Sequence, residues 1–298
     1  MITVSSLTKK YGARVAVHDL SFEVAAGRVT GFVGPNGAGK STTMRMMVGL
    51  ARPDRGETTY RQVRYADMAQ PARVVGTVLD ARSMHPGRTA RNHLAAAAAL
   101  ASLPARRVEE VLNEVGLESA ADQRTGGFSL GMRQRLALAG ALLGEPEVLL
   151  LDEPSNGLDP DGIRWLRNSL STFADNGGTV FVSSHLIAEL AMFADDLIVL
   201  GAGRLLAAEP VATTLARGES TVSVRTSQAA ELGRLLHRHG IAVESAGSHL
   251  SVRGATTAAV SQIAFDNRIQ IIEITETRRS LEEILLDMTG ASAEFAAA

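Results

Sequence analysis

Gly34-Pro-Asn-Gly-Ala-Gly-Lys40-Ser41-Thr42 is the stretch on which the reading of this chain turns. It fits the phosphate-binding pattern Gly-x-x-x-x-Gly-Lys-Ser/Thr. The apolar run Val29-Thr-Gly-Phe-Val33 ahead of it predicts a strand, and the residues from about Ser41 to Leu50 predict a helix. That context gives the pattern its meaning. Glycines at Gly34, Gly37 and Gly39 let consecutive backbone N–H groups curl around phosphate oxygens, with Pro35, Asn36 and Ala38 filling the loop. A helix starting at Ser41 adds its positive dipole end. Lys40 is placed to reach β- and γ-phosphates, the Ser41 hydroxyl to ligate Mg²⁺, and Thr42 completes the turn into the helix.

Working outward, Val148-Leu-Leu-Leu-Asp152-Glu153-Pro154 supplies the complementary half. Four consecutive apolar residues predict a strand covered on both faces, which delivers Asp152 to the carboxyl edge of a parallel sheet. There its carboxylate can hold Mg²⁺ through water, and Glu153 can polarise an attacking water as general base. Further buried strands are predicted at Thr179–Val182 and Asp196–Leu200. The alternating positions of residues 1–25 predict half-buried antiparallel strands. Residues 86–146 read as a helical insertion, with Val108, Val111, Leu112 and Val115 in i, i+3, i+4, i+7 spacing.

Gly201–Gly218 reads as a connection, after which the pattern changes. Strands at Thr221–Arg225, Ile241–Glu244, Leu250–Arg253 and Ile269–Ile274 alternate with helices at Gln228–His239 and Thr256–Phe265. That β-α-β-β-α-β order suits a small ferredoxin-like α+β module. A last helix opens at Ser280-Leu-Glu-Glu283, a capping box, and Ala291–Ala298 reads as a loose tail.

Composition narrows the function classes. Thirty basic residues against thirty-two acidic give a net charge of −2, which argues against a nucleic-acid partner. The absence of cysteine excludes disulfides, thiolate metal ligands and a cysteine nucleophile. The first residues lack an apolar signal core, and the richest apolar stretches, Leu94–Leu103 and Leu136–Leu143, are too short to span a bilayer. The expectation is a cytoplasmic protein whose membrane role, if any, comes through partners.

Lys40 and Asp152 stand 152 − 40 = 112 residues apart. Between them lies Phe128-Ser129-Leu130-Gly131-Met132-Arg133-Gln134-Arg135, which resembles the signature segment of the nucleotide-binding subunits of ATP-binding cassette (ABC) transporters. Relative to that family's Leu-Ser-Gly-Gly-Gln, Phe128 replaces Leu, Leu130 replaces Gly and Met132 replaces Gln. Ser129 and Gly131 are retained.

The resemblance implies an α/β fold with an ABC-type P-loop NTPase core, an N-terminal antiparallel β subdomain and a helical subdomain. It implies a nucleotide-binding domain over 1–217, an accessory module over 218–290 and a tail over 291–298. It implies ATP and Mg²⁺ as ligands, and two copies, or this chain and a related one, closing head to tail on two ATPs. Each site would join Lys40, Ser41, Asp152, Glu153 and His185 of one chain to Ser129 and Gly131 of the other.

Tyr11, in Lys9-Lys-Tyr-Gly, matches the aromatic that stacks on adenine. Ser155-Asn-Gly-Leu-Asp159-Pro matches the loop that crosses the dimer interface. His185, 185 − 153 = 32 residues past Glu153, matches the histidine that contacts the γ-phosphate. Asp80 departs from the pattern: it ends the segment Val75-Gly-Thr-Val-Leu-Asp80, which aligns with a loop where the family usually has Gln in the last position, and its carboxylate can still face the metal or a water. It cannot donate a hydrogen bond as an amide does.

The C-terminal module resembles the extension of bacterial ABC-2 type drug and antibiotic exporters. This implies an ATPase subunit working with separate multi-span permease subunits at the inner face of the membrane. The alternative is a non-transport or weakly hydrolysing regulatory ABC ATPase.

Overall fold

The computed structural model describes residues 1–80, 84–185, 187–218 and 220–296. Two compact units divide the chain, Met1–Val211 with Met288–Ala298, and Ala212–Asp287.

The first unit opens with β1 (Ile2–Tyr11) and β2 (Arg14–Val24), antiparallel across a two-residue turn at Gly12 and Ala13. Their alternation puts Ile2, Val4, Leu20, Phe22 and Val24 inside and the intervening polar residues at the surface. β3 (Val29–Val33) is buried at every position and runs through the glycine loop into α1 (Lys40–Met47). β4 (Arg55–Tyr60) and β5 (Val63–Arg64) return to the first sheet, giving the order β2-β1-β4-β5.

β6 (Val75–Val78) precedes the helical insertion of α2 (Ala90–Leu100), α3 (Arg106–Glu114) and α4 (Leu130–Leu142). β7 (Val148–Leu151), α5 (Pro160–Asp175), β8 (Thr179–Ser183), the single turn α6 (Ile187–Leu190), β9 (Asp196–Gly201) and β10 (Arg204–Pro210) complete the six-stranded sheet. Its order is β10-β9-β3-β8-β7-β6, parallel from β9 to β6 with β10 antiparallel at the edge. Phe22 of the first sheet meets Phe32 and Phe181 of the second with ring centroids 5.9 and 5.7 Å away, and those two lie 4.9 Å from each other, so one aromatic cluster ties both sheets into a common core.

In the second unit, α7 (Val211–Ala216) leads to β11 (Ser220–Arg225), α8 (Ala229–Arg238), β12 (Ala242–Ala246), β13 (His249–Arg253), α9 (Thr257–Asp266) and β14 (Glu273–Arg278). The sheet order β12-β13-β11-β14, antiparallel throughout, is the ferredoxin-like arrangement. Its core is Val222, Val224, Leu232, Leu236, Leu250, Val252 and Val260. α10 (Leu281–Ala296) begins with the expected capping box: Ser280 N–H donates to Glu283 Oε2 at 2.8 Å and Glu283 N–H to Ser280 Oγ at 3.2 Å.

Four local expectations are corrected. The connection after Gly201 contains β10, an edge strand that the pairing of Leu205 through Pro210 with β9 brings into being. Val75–Val78, read as part of a loop ending at Asp80, is a parallel edge strand. The last strand of the module lies at Glu273–Arg278 rather than Ile269–Ile274, because Ile269 closes the α9 terminus, its N–H donating to the Ala264 carbonyl at 2.9 Å. α10 continues through Ala296, where a loose tail was expected from Ala291; Ala-rich sequence without proline keeps a high helix propensity. Ala297 and Ala298 lie outside the described residues.

Candidate functional site

β3 occupies the middle of the six-stranded sheet, so the loop at its carboxyl end sits in the crevice where parallel α/β sheets bind ligands. The glycines there are structural necessities. A Cβ on Gly34, at φ +154°, would stand 2.3 Å from the Leu200 carbonyl oxygen. One on Gly39, at φ +103°, would stand 2.5 Å from the Ala16 carbonyl oxygen. Gly39 is also the N-cap of α1, so the loop passes directly into a helix N-terminus.

Lys40 is buried and its Nζ donates to the Gly34 carbonyl at 2.6 Å and the Pro35 carbonyl at 3.3 Å. Burial pushes its pKa below the ordinary lysine value, against the opposing pull of the Glu153 and Asp152 carboxylates. The loop opens on a cleft of about 380 Å³ lined by Tyr11, Arg14, Asn36, Lys40, Ser41, Thr42 and Glu153.

β7 ends at Leu151 and delivers Asp152 and Glu153 to the same edge of the sheet. One strand, β8, separates it from β3, and that strand's last residue ties the site together. Ser183 Oγ donates to Asp152 Oδ1 at 2.6 Å and accepts from the Glu153 N–H at 2.9 Å. Glu153 has φ +50°, a left-handed conformation costly for a side chain with a Cβ. The bonds from Ser183 and His185 hold it there. His185 N–H donates to Glu153 Oε2 at 3.2 Å, and its Nδ1 lies 2.6 Å from the same oxygen. A carboxylate so oriented by an imidazole has the geometry of a general base. An adjoining cavity of about 460 Å³ is lined by Asp80, Gln134, Asp152, Glu153, Asn156 and Gly157.

Thus Tyr11, Lys40, Ser41, Thr42, Asp152, Glu153, His185 and Asp80 gather at one sheet edge. Ser129, Gly131 and Asp159 line neither cavity. Ser129 caps α4, its Oγ accepting from the Met132 N–H at 3.2 Å, and is exposed. Asp159 caps α5, accepting from the Gly162 N–H at 2.7 Å. Arg14 and Ser183 were missed from the sequence, and of the two only Ser183, two residues before His185 at a strand end, carried a positional signal; Gln134 and Asn156 lay within the signature and interface-loop segments without being singled out. Among the described residues no group of three or more His, Asp or Glu forms a metal site by itself. A hydroxyl at Ser41 and a carboxylate at Asp152 suit Mg²⁺, which takes few protein ligands and completes its octahedron from phosphate oxygens and water. A roomier cavity of about 610 Å³ lies among α3, α4 and α5 and carries no phosphate loop.

The ABC transporter family model matches residues 17–156. The chain is 33% identical over 297 residues to an uncharacterized ABC transporter ATP-binding protein of Bacillus subtilis strain 168, covering 99% of this chain and 97% of that one. It belongs to the ABC transporter family, among the ATP-binding subunits. It is 32% identical to the bacitracin transport ATP-binding protein of Bacillus licheniformis, covering 97% of both chains. It is also 32% identical to a Nod factor export ATP-binding protein of Rhizobium meliloti strain 1021, covering 97% of this chain and 88% of that one. Among solved structures, an ATP-binding subunit of an ABC transporter superposes with TM-score 0.64 at 25% identity, covering 89% of this chain and 99% of the other. A domain family of unknown function matches residues 220–282. As an ABC subunit the chain is an ATPase, and no helix among its described residues is long and apolar enough to cross a membrane.

Proposed function

We propose that two copies of this chain, or this chain and a related one, close head to tail on two ATP molecules to power export through separate multi-span membrane subunits. The loop Gly34–Thr42 cradles the phosphates and Lys40 neutralises the β- and γ-phosphate charge. Ser41 and Asp152 are the residues that would hold Mg²⁺, which would supply charge stabilisation to the transferred phosphoryl group. Asp80, in the adjoining cavity with Asp152, would lie on the metal's side of the site. Glu153 accepts the proton of the attacking water, while His185 orients that carboxylate and faces the γ-phosphate. Ser129 and Gly131 at the start of α4 meet the nucleotide held by the other copy, and Asp159 belongs to the loop between them. Tyr11 stacks on the base. In this reading 1–217 is the catalytic domain and 218–290 an accessory module, and the subunit works at the inner face of the cell membrane.

The observation that carries the reading is the contact of Glu153 with His185 at 2.6 Å, joined through Ser183 to Asp152 at the mouth of the phosphate loop. The export direction is supported by relatives bearing the names of bacitracin transport and Nod factor export subunits. Glu153→Gln keeps the side chain's shape but removes the base. Turnover is expected to fall about 10²- to 10⁴-fold with ATP binding retained; normal hydrolysis by this variant would refute the assignment of the base.

A second reading, a weakly hydrolysing regulatory subunit, is favoured by the carboxylate of Asp80 in the cavity with Asp152 and Glu153. Extra negative charge there opposes the approach of a γ-phosphate. Steady-state hydrolysis with and without the membrane subunits separates the two: export predicts a marked rise with them, regulation a flat, slow rate.

A further inference from the structure

The Tyr11 ring reaches the mouth of the nucleotide cleft from the end of β1, and about half of its surface is exposed. A ring on a hairpin end has rotamer freedom, and freedom lost on stacking weakens binding. Something has to hold it. Beneath it, Lys9 Nζ lies 5.4 Å from the ring centroid, within cation–π range.

Lys9 is itself fixed. Its Nζ donates to the Arg52 carbonyl at 2.6 Å and lies 3.4 Å from Asp54 Oδ1, leaving the side chain only 15% exposed. Asp54 Oδ2 accepts the Lys10 N–H at 2.6 Å, and the Asp54 N–H donates to the Thr8 carbonyl at 2.9 Å. The bond from the Lys10 N–H, with the Lys9 charge beside it, holds the Asp54 carboxyl below its ordinary pKa. Arg52 and Asp54 lie in the short segment between α1 and β4, downstream of the phosphate loop's own helix.

We propose that Lys9 and Asp54 form a positioning clamp that sets the Tyr11 ring as a platform for the nucleotide base and ties that platform to the segment following the phosphate-loop helix. The proposal rests on the reading of Tyr11 as the base platform. Lys9 and Asp54 act through Tyr11 and the β1 backbone: the ammonium covers one ring face and leaves the other for the base. Asp54 holds the ammonium and the β1 end together.

The test compares binding of ATP with binding of inorganic tripolyphosphate, which has phosphates and no base, by calorimetry on the full chain. Lys9→Met is expected to weaken ATP binding about 3- to 10-fold and leave tripolyphosphate binding unchanged. Lys9→Arg, which keeps a cation over the ring, is expected to stay within about 2-fold of the parent, and Asp54→Asn to fall between. Tyr11→Ala serves as the control for the platform itself. If Tyr11→Ala weakens ATP binding while Lys9→Met does not, the clamp is refuted and the platform stands. If Tyr11→Ala binds ATP like the parent, the platform reading fails, and the clamp with it. An equal loss of ATP and tripolyphosphate binding in Lys9→Met also overturns the proposal, because the damage would then lie in the phosphate loop.

Discussion

The molecule presents two helix N-termini suited to an anion, and they are built differently. The one at Lys40 follows a fully buried central strand. Its glycines are pressed against the Leu200 and Ala16 carbonyls, and its lysine is buried within the loop. The one at Ser129 begins α4 with an exposed serine that caps its own helix, and an exposed Leu130 stands beside it. The first is assembled by its own chain. The second offers donors at Ser129, which lines neither cavity, although its neighbours Leu130 and Gln134 border the one that holds Asp152 and Glu153. Local backbone geometry alone therefore does not make a site: the Lys40 terminus is enclosed by its own fold, whereas the exposed Ser129 terminus needs a facing surface.

The largest effect separating the two is expected at Gly39→Val. A β-branched residue at φ +103°, with its Cβ 2.5 Å from the Ala16 carbonyl, cannot hold the loop. ATP affinity measured on the isolated chain should fall by more than about 100-fold. Ser129→Arg should instead leave ATP affinity of the chain within about 2-fold while cutting hydrolysis about 100-fold, since a bulky cation blocks the facing copy. Equal binding losses in both variants would show that the two helix termini serve the nucleotide in the same way.

Ser129→Ala removes a helix cap and should cost about 1 kcal/mol, read as a lower urea midpoint with an unchanged slope.

The smallest effect concerns pH. Asp54 has its folded pKa lowered below 3.8, chiefly by the Lys10 N–H and also by Lys9. The stability this contributes is therefore present above 3.8 and lost as pH falls through the lower folded value. Carboxyl NMR should place the Asp54 midpoint below 3.8, and Lys9→Met should raise it.

Much of this was legible in the residues. Gly34–Thr42 and Val148–Glu153 each carry a pattern that needs its residue types at fixed spacing, and both ended at one sheet edge. The β-α-β-β-α-β order of the module was readable from alternation. β10 was not, because Arg204-Leu-Leu-Ala-Ala-Glu-Pro210 is a strand only through pairing with β9, and its terminal proline reads as a break. Nor was the part played by Ser183, whose value lies in bridging Asp152 and the Glu153 backbone across strands that are 31 and 30 residues apart in sequence. Arg14 reaches the cleft only because the hairpin turn at Gly12 returns the chain over the phosphate loop.

Completion of the site by a second copy of the chain is read in the solution mass. The molar mass of Glu153→Gln should double on adding ATP. In the double variant Glu153→Gln with Ser129→Arg it should stay that of a monomer although ATP still binds. A Glu153→Gln chain that remains monomeric with ATP bound would contradict pairing of two copies of this chain and leave a related chain as the partner, and a double variant that pairs as readily as the single one would contradict the role of Ser129.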